Sequence, residues 1–332
     1  MRVLITGATG FIGAHLAKEF GGAGHTVVAV DLNPPSQALA MYLGEVARDV
    51  RFVRADLGVS GSLEAIEDSA DAIVHAAVVT STPDVEAREP QRVVAVNLLA
   101  TLEALRYARR AGTRRFVYLS SSGVYGETDP DVPVAEAAPV QLTSLYTLTK
   151  YASEQVVASA NGRDQVTSAS VRIAAAYGPM ERPTGARTTM SVIHALVRAA
   201  LAARAIRLSG ADRARDWTHA ADIARAIRLL VEAPSLQHPN YNLSSGVIAP
   251  LALVADALAR LAPGFSWQRA AEGRPDVDGT LAQRRGPLDI GRIRAVGFAP
   301  RFTLEEGLGD TLTWVRRIEG MGISMSAGGA GT

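Results

Sequence analysis

The chain has 332 residues, of which 48% are hydrophobic, and this is enough for one large core or for two lobes that share a core. Its formal net charge of +1 gives no overall field that would favour nucleic acid or a membrane surface. The absence of cysteine excludes disulfides, zinc–thiolate sites and thiol nucleophiles. Because the sequence has neither a signal-peptide pattern nor an apolar run of bilayer length, we expect a soluble, cytoplasmic protein without a metal.

The first half of the sequence alternates short apolar runs with amphipathic stretches. Strands are predicted at Arg2–Thr6, Thr26–Val30, Arg51–Arg54, Ala72–His75 and Arg115–Ser120. Helices are predicted between them at Ile12–Phe20, Ser62–Glu67 and Pro90–Ala111. Nearly continuous apolar strands are typical of a parallel sheet covered by helices on both faces. This order predicts an α/β fold with a Rossmann-type, doubly wound parallel sheet.

The alternation is less regular beyond about Gly178. Helices are predicted there at Met190–Arg204, Ala221–Glu232 and Thr303–Arg317. The stretch Pro263–Pro287 is rich in glycine, proline and charge, which predicts a surface loop with short strands. The tail Gly320–Thr332 has little to bury and is expected to be mobile.

A glycine-rich turn follows the first predicted strand. Gly7, Gly10 and Gly13 have the spacing G-x-x-G-x-x-G and lie between that strand and the first helix. Glycine permits a tight turn and a close approach of the backbone to a pyrophosphate, and the N–H groups that open the helix, around Phe11 and Ile12, favour phosphate. The pattern predicts a dinucleotide site, although a purely structural turn can have the same spacing.

An acidic residue ends the second predicted strand, at the distance expected for a ribose ligand. Asp31 could accept hydrogen bonds from an adenosine ribose, and its charge would repel a 2′-phosphate. The next residues, Leu32 and Asn33, supply no cation, so NAD is favoured over NADP. Asp56 and Leu57, after the third strand, are placed to meet the adenine.

A tyrosine and a lysine lie four residues apart in a helix predicted around Ser144–Ala160. Tyr146 and Lys150 therefore face the same way. A neighbouring ammonium lowers the pKa of a phenol, so Tyr146 could act as a base at neutral pH. A surface Tyr–Lys pair would give the same spacing. Upstream, a serine run at the end of a strand offers hydroxyls that could hold a substrate alcohol against Tyr146.

These segments, in this order, resemble an extended short-chain dehydrogenase/reductase of the NAD-dependent epimerase/dehydratase family, close to the nucleotide-sugar 4-epimerases. The resemblance covers roughly residues 2–316. The matching segments are the glycine turn, Asp31, Asp56-Leu57, His75–Ala77, Asn97, Ser120–Gly126, Tyr146 with Lys150, Arg172, Tyr177–Pro179, Arg215–His219, Asp222–Ala224 and Phe298–Trp314.

The resemblance implies a role for each matching site residue. Tyr146 would be the general acid/base, Lys150 would bind the nicotinamide ribose and lower the tyrosine pKa, and Ser121 or Ser122 would be the hydroxyl partner, with a slight preference for Ser121. The cofactor NAD would further contact Ala76, Ala77, Asn97 and Ser120. His75 is expected to be structural. The substrate would contact Thr80 and four arginines that could bind phosphate or carboxylate: Arg182, Arg187, Arg215 and Arg274.

The implied reaction is epimerisation of a nucleoside diphosphate sugar, a UDP-hexose or UDP-uronate, through a transient ketone. Ala175 departs from the family, because many nucleotide-sugar enzymes have an Asn or Thr there that reaches the substrate. The segment before Tyr146 also lacks a frequent proline. These departures keep open an NAD-dependent dehydrogenase acting on a free sugar acid or other small hydroxy compound. A non-catalytic NAD-binding regulator is a remote third interpretation.

Dehydration of the sugar is disfavoured at sequence level. Dehydratases of this family resemble a pattern with a carboxylate after the hydroxyl residue, and Ser122 and Gly123 stand there instead.

The resemblance also predicts domain limits and an assembly. An NAD-binding domain is expected at residues 1–176, to which residues 212–245 return. A substrate-binding lobe is expected at 177–211 and 246–318, followed by a flexible tail at 319–332. A homodimer is expected to form through the helices around Pro90–Ala111 and Ser144–Ala160.

Overall fold

The computed structural model of the chain describes residues 1–67, 69–270, 274–280 and 284–323. Its largest element is a seven-stranded sheet in which all neighbouring strands are parallel. Across the sheet, the strands are β10 (Asn240–Leu243), β6 (Thr167–Ile173), β5 (Arg115–Ser121), β4 (Ala72–His75), β1 (Arg2–Thr6), β2 (Thr26–Asp31) and β3 (Val50–Arg54). The order reverses direction at β1 and β4, and ligands of doubly wound sheets bind beside such a reversal.

Helices cover both faces of this sheet. In chain order, the α-helices are α1 (Phe11–Gly22), α2 (Gln37–Leu43), α3 (Pro83–Arg88), α4 (Pro90–Val94), α5 (Ala100–Arg110), α6 (Leu145–Ala160), α7 (Val192–Leu201), α8 (Ala220–Glu232), α9 (Leu251–Leu261), α10 (Gly291–Ala295) and α11 (Leu304–Gly320). A π-helix at Ala95–Leu99 joins α4 to α5, and short 3-10 helices lie at Gly44–Asp49, Ser122–Tyr125 and Arg163–Gln165.

The alternation of side chains along each strand supplies two cores. In β1, Val3 and Ile5 pack into the cluster on the face covered by α1 and α8. Leu4 points to the opposite face and belongs to a second cluster with residues of α5 and α6. Because both faces are buried, the strand has the continuous apolar sequence from which it was predicted.

Two small sheets lie outside the large one. The first contains β7 (Ala175–Tyr177), β9 (Ala214–His219) and β11 (Ile248–Pro250), with β9 in the middle. The second contains β8 (Ala205–Ser209), flanked by β12 (Ser266–Arg269) and β13 (Val277–Asp278). Of the segments following residue 211, β10 joins the large sheet and α8 packs on α1, whereas β9 belongs to a small sheet.

The predicted α/β fold with a doubly wound parallel sheet is confirmed, and the five predicted strands agree with β1 to β5 within one residue at each end. The helix predicted at Ser62–Glu67 is wrong. Consecutive turns replace it, with three-residue bonds such as Glu64 N–H to Gly61 O and Ile66 N–H to Leu63 O in place of the four-residue bonds of an α-helix. The predicted tail overlaps the end of α11, and residues 324–332 lie outside the described residues.

None of the helices in the described ranges is long and apolar enough to cross a membrane.

Candidate active site

A cavity of about 640 Å³ lies at the carboxyl ends of the strands of the large sheet. Its lining joins the glycine turn, the ends of β2 and β3, the loop after β4, the end of β5 and the start of α6. These segments are distant in sequence, yet the parallel strand order brings their ends to one edge. The predicted cofactor residues other than Asn97, together with the predicted Tyr–Lys pair, therefore line one continuous space.

The glycine turn is closely packed against the loop that follows β4. Gly7 has a φ of +68°, and a Cβ on it would lie 2.8 Å from the Cα of Ala77. A Cβ on Gly13 would lie 2.0 Å from the carbonyl oxygen of Gly7. Gly10 is the N-cap of α1, and no side chain caps this helix. The first N–H groups of α1 therefore face the cavity as a place for an anion such as a pyrophosphate.

The predicted ribose and adenine residues lie at one end of this cavity. Asp31 accepts hydrogen bonds from the backbone N–H of Thr9, at 3.0 Å, and of Asn33, at 2.9 Å. Both bonds fix its carboxylate beside the glycine turn. Leu32, Asn33, Asp56 and Leu57 also line the cavity.

The loop after β4 is held from two sides. The hydroxyl of Thr6 accepts hydrogen bonds from the backbone N–H groups of Ala76 and Ala77, each at 3.1 Å. The side chain of Asn97 bonds both backbone groups of Val79, at 2.8 and 3.0 Å. Asn97 lies in the π-helix, which interrupts the single helix predicted at Pro90–Ala111. Its observed role is to support the backbone of the loop.

His75 is fully buried at the end of β4, next to this loop. Its Nδ1 lies 2.7 Å from the hydroxyl of Thr6. Burial, together with the charge of Lys150, lowers its pKa to about 3, so it is neutral at physiological pH. These contacts agree with the structural role expected for it.

Tyr146 and Lys150 project from the first turns of α6 towards the end of β5. The Nζ of Lys150 donates a hydrogen bond of 2.7 Å to the carbonyl oxygen of Leu119 and lies 5.9 Å from the centre of the Tyr146 ring. Burial lowers the pKa of Lys150 to about 7, against the opposing charge of Glu154. The ammonium group of this lysine therefore loses its proton near neutral pH.

Tyr146 keeps some exposed surface, but its hydroxyl group lies in a buried environment. Burial raises its pKa above the ordinary value, while a hydrogen bond with Ser121 and the charge of Arg187 oppose the rise. The family resemblance implies that Lys150 lowers this pKa. In the described residues, Ser121 and Arg187 are the groups that act in that direction.

The three consecutive serines at the end of β5, Ser120 to Ser122, have different surroundings. Ser121 lines the cavity, and its oxygen accepts a hydrogen bond of 3.0 Å from the backbone of Gly123. The hydroxyl of Ser120 donates to Glu154 at 2.5 Å. Ser122 is buried away from the cavity lining. The structure therefore brings Ser121, rather than Ser122, next to Tyr146.

Of the predicted substrate residues, Thr80 and Arg187 line the cavity. The backbone N–H of Thr80 donates to Ala186 O at 2.9 Å, and this pairs the loop after β4 with the segment that carries Arg187. The guanidinium of Arg187 is held 2.5 Å from the carboxylate of Glu181 and lies over the ring of Phe11.

The other three predicted arginines do not line this cavity. Arg182 is buried behind the glycine turn, where it donates to Thr9 O at 3.2 Å. Arg274 is exposed. Arg215 lies on β9, and its Nε is buried without a hydrogen-bond partner among the described residues. Its pKa is lowered by burial and by the nearby charge of Arg213.

Arg285 is a candidate that the sequence analysis missed. It donates to the hydroxyl of Ser122 at 2.8 Å and to Gly126 O at 3.0 Å, so it is attached to the loop that directly follows Ser121. Burial and the charge of Arg215 lower its pKa to about 10. Neither Arg215 nor Arg285 lines the cavity, but both guanidinium groups are partly buried on the side of Ser122 and Gly126.

Comparisons with known proteins identify the family. The profile of the NAD dependent epimerase/dehydratase family matches residues 3–244. The chain belongs to this family. It is 30% identical over 328 residues to a UDP-glucose 4-epimerase of Mycolicibacterium smegmatis, covering 95% of this chain and 99% of that protein. It is 28% identical over 329 residues to a dTDP-glucose 4,6-dehydratase of Streptomyces niveus, covering 95% and 93%.

Solved structures of such epimerase/dehydratase proteins have the same fold. MoeE5 in complex with UDP-glucuronic acid and NAD is 28% identical, with a TM-score of 0.77 and coverage of 96% of this chain and 99% of that one. The UDP-glucose 4-epimerase of Thermotoga maritima, solved with UDP-glucose, is 23% identical, with a TM-score of 0.79 and coverage of 96% and 100%. At the latter identity the likeness concerns the fold alone.

The chain is therefore an enzyme of the NAD-dependent epimerase/dehydratase family, and its cofactor is NAD. The residues at the cavity fit this group. The uncapped start of α1 suits the pyrophosphate, and the fixed carboxylate of Asp31 suits the adenosine ribose.

Proposed function

We propose that the chain is an NAD-dependent epimerase that acts on a nucleoside diphosphate sugar, a UDP-hexose or a UDP-uronate. The observation that carries this proposal is that Tyr146, Ser121 and Lys150 line the same cavity as the glycine turn. The relatives whose names specify UDP-glucose 4-epimerase and UDP-glucuronate 4-epimerase support the substrate class.

In the proposed reaction, Tyr146 removes a proton from a sugar hydroxyl. It returns the proton after the keto sugar has rotated so that its opposite face meets the nicotinamide. Ser121 shares a hydrogen bond with Tyr146 and would hold the same substrate oxygen. Lys150, fixed by Leu119 O, would bind the nicotinamide ribose. Bound NAD supplies the hydride acceptor for the oxidation and the hydride donor for the reduction. Net epimerisation then requires no external oxidant.

The pair Arg215 and Arg285 is the proposed binding site for the substrate diphosphate. Both side chains are partly buried, and the pKa of Arg285 is lowered by burial and by the charge of Arg215, so an anion beside them would offset the concentration of positive charge. Arg187, at the cavity, is the proposed ligand of a second substrate group. Arg274 remains a sequence-based proposal, and its exposure gives it no added support.

Sugar dehydration is not supported by the cavity. The only carboxylates in its described lining are Asp31 and Asp56, at the end proposed for adenosine. Elimination of water needs a carboxylate or another acid/base pair near the sugar, and none of the described lining residues supplies a carboxylate beside Tyr146.

The rival function is net oxidation of a smaller sugar acid by NAD. Ala175, the residue on which the sequence argument for it rests, does not line the cavity; the adjacent Ala174 and Ala176 do, and they offer no side-chain hydrogen bond to a sugar. To distinguish the two, purified enzyme with NAD is incubated with UDP-sugars and with free sugar acids, and the products are separated by chromatography. A stereoisomer without accumulated NADH supports epimerisation, whereas one NADH per product overturns it in favour of the dehydrogenase.

The substitution Tyr146→Phe tests the acid/base role. We expect kcat to fall by about 10²- to 10⁴-fold because the hydroxyl oxygen that accepts and returns the proton is lost, while the ring and its packing remain. NAD binding, followed by fluorescence titration, should change by less than about twofold, a margin below 1 kcal/mol. Retention of turnover would show that another group transfers the proton.

We also propose a homodimer formed by the outer faces of α5 and α6. Leu102 on α5, Leu148 on α6 and Leu99 just before α5 are each 49% exposed, although the helices that carry them pack on the large sheet. Apolar side chains of this size on two adjacent helices favour burial against a second copy.

A further inference from the structure

Glu86 connects α3 to the helix that carries Tyr146. One oxygen of its carboxylate accepts a hydrogen bond of 2.9 Å from the backbone N–H of Tyr146. The other oxygen accepts a hydrogen bond of 3.0 Å from the backbone N–H of Leu145. Leu145 and Tyr146 are the first two residues of α6. The third N–H, of Thr147, is bound by the hydroxyl of the N-cap Ser144 at 3.2 Å. One carboxylate therefore satisfies two of the N–H groups that begin the helix.

This arrangement differs from ordinary helix capping in the origin of the acceptor. The first N–H groups of a helix lack partners within the helix, and a neighbouring residue of the same segment usually supplies one. Here the acceptor comes from α3, 59 residues earlier in the chain. Its bonds consequently fix where α6 begins relative to the rest of the site, and its negative charge interacts favourably with the positive end of the helix.

The same carboxylate is connected to the substrate side of the cavity. The hydroxyl of Ser81 donates to it at 2.8 Å. Ser81 directly follows Thr80, which lines the cavity and pairs with the segment of Arg187. A displacement of Glu86 would therefore change the position of the Tyr146 backbone relative to this loop.

We propose that Glu86 is a positioning residue that keeps the Tyr146 hydroxyl next to Ser121 and next to the reacting substrate oxygen. This inference rests on the proposed acid/base role of Tyr146. Glu86 does not line the cavity, so it acts through the backbone of the helix rather than on the substrate. Displacement of a reacting group by about 1 Å can lower the rate by about 10²-fold.

The test compares three variants. Glu86→Ala removes both acceptors, Glu86→Gln keeps one amide oxygen as an acceptor, and Asp84→Ala removes an exposed acidic side chain from the same short helix. We expect Glu86→Ala to lower kcat by about 10- to 100-fold, with KM and NAD affinity changed by less than about threefold. Glu86→Gln should recover part of kcat, and Asp84→Ala should match the unaltered enzyme.

A second readout follows the ionisation of Tyr146 and requires no substrate. It is the ultraviolet difference between each variant and the same variant with Tyr146→Phe, recorded as a function of pH. Ser121 and Arg187 are the groups that lower the pKa of Tyr146, and Glu86 is not among the charges that shift it. An upward shift of the phenol pKa in Glu86→Ala therefore reports loss of the contact with Ser121 rather than loss of a charge.

Three outcomes separate the interpretations. A lower kcat together with a raised phenol pKa in Glu86→Ala, with kcat partly restored in Glu86→Gln, supports the positioning role. A lower melting temperature with unchanged kcat and unchanged phenol pKa overturns it, since Glu86 would then only stabilise the fold. Full activity of Tyr146→Phe would instead contradict the proposed function, independently of what the Glu86 variants do.

Discussion

Lys150 is the residue whose charge depends most on the fold. Its ammonium group is buried between Leu119 O and the ring of Tyr118, and its pKa falls from 10.5 to about 7. Desolvation outweighs the attraction of Glu154, although Glu154 lies one turn further along the same helix. A lysine in this state can bind a ribose and still exchange its proton near neutral pH.

This shift predicts a pH dependence of stability. Between pH 7 and about 10.5, the unfolded chain carries a proton on Lys150 that the native chain lacks, so stability rises with pH across this window. The contribution of one such group is at most about 1.4 kcal/mol per pH unit. We expect Lys150→Met to lack it. The measurement is the free energy of unfolding in urea from pH 6 to 10, without added NAD, for both proteins.

As pH increases, the free energy of unfolding of the unaltered chain should therefore rise relative to that of Lys150→Met. A difference that is constant across this range would mean that Lys150 keeps its ordinary pKa in the native state.

At the scale of elements, the loop that carries Arg285 shows why one cation was missed. Residues 128 to 134 pair with residues 284 to 289 through backbone bonds such as Val134 N–H to Pro287 O, at 2.7 Å. This pairing presents Arg285 to Ser122 and Gly126, more than 150 residues earlier in the chain. In the sequence, Arg285 is one of two adjacent arginines before Gly286 and Pro287, which is an ordinary loop pattern.

The substitution Arg285→Ala tests the proposed diphosphate site. We expect KM for a UDP-sugar to rise by about 10- to 100-fold with kcat within about threefold, because a charge-assisted bond is worth about 1.5–3 kcal/mol. Arg284→Ala is the matched control, since Arg284 is the adjacent arginine and its side chain is exposed. Steady-state kinetics distinguishes the two. Equal KM values for both variants would remove Arg285 from the proposed site.

At the scale of the whole molecule, the apolar outer faces of α5 and α6 predict the assembly. Leu102→Glu or Leu148→Glu should convert the proposed dimer to a monomer, because a charge would be buried in the interface. Leu253→Glu on α9 is the matched control, since Leu253 is 53% exposed on another surface. Light scattering at micromolar concentration gives the mass. A monomer before any substitution would contradict the dimer itself.

Features that arise from neighbouring residues along the chain were predictable from the amino-acid sequence. A strand, a glycine turn and a helix follow one another in the first segment, and Tyr146 and Lys150 share a helix face because they are four residues apart. The continuous apolar strands also determined the parallel sheet, because both faces must be buried.

The contacts between distant segments became known from the three-dimensional structure. It selected Ser121 over Ser122 as the neighbour of Tyr146, placed Arg182 behind the glycine turn, and brought Arg285 beside Arg215. It also set the direction of the tyrosine and lysine pKa shifts, since burial depends on what the whole chain packs around each group. Sequence spacing specifies neighbours within one element, whereas contacts between elements depend on strand order and loop pairing, which no local pattern encodes.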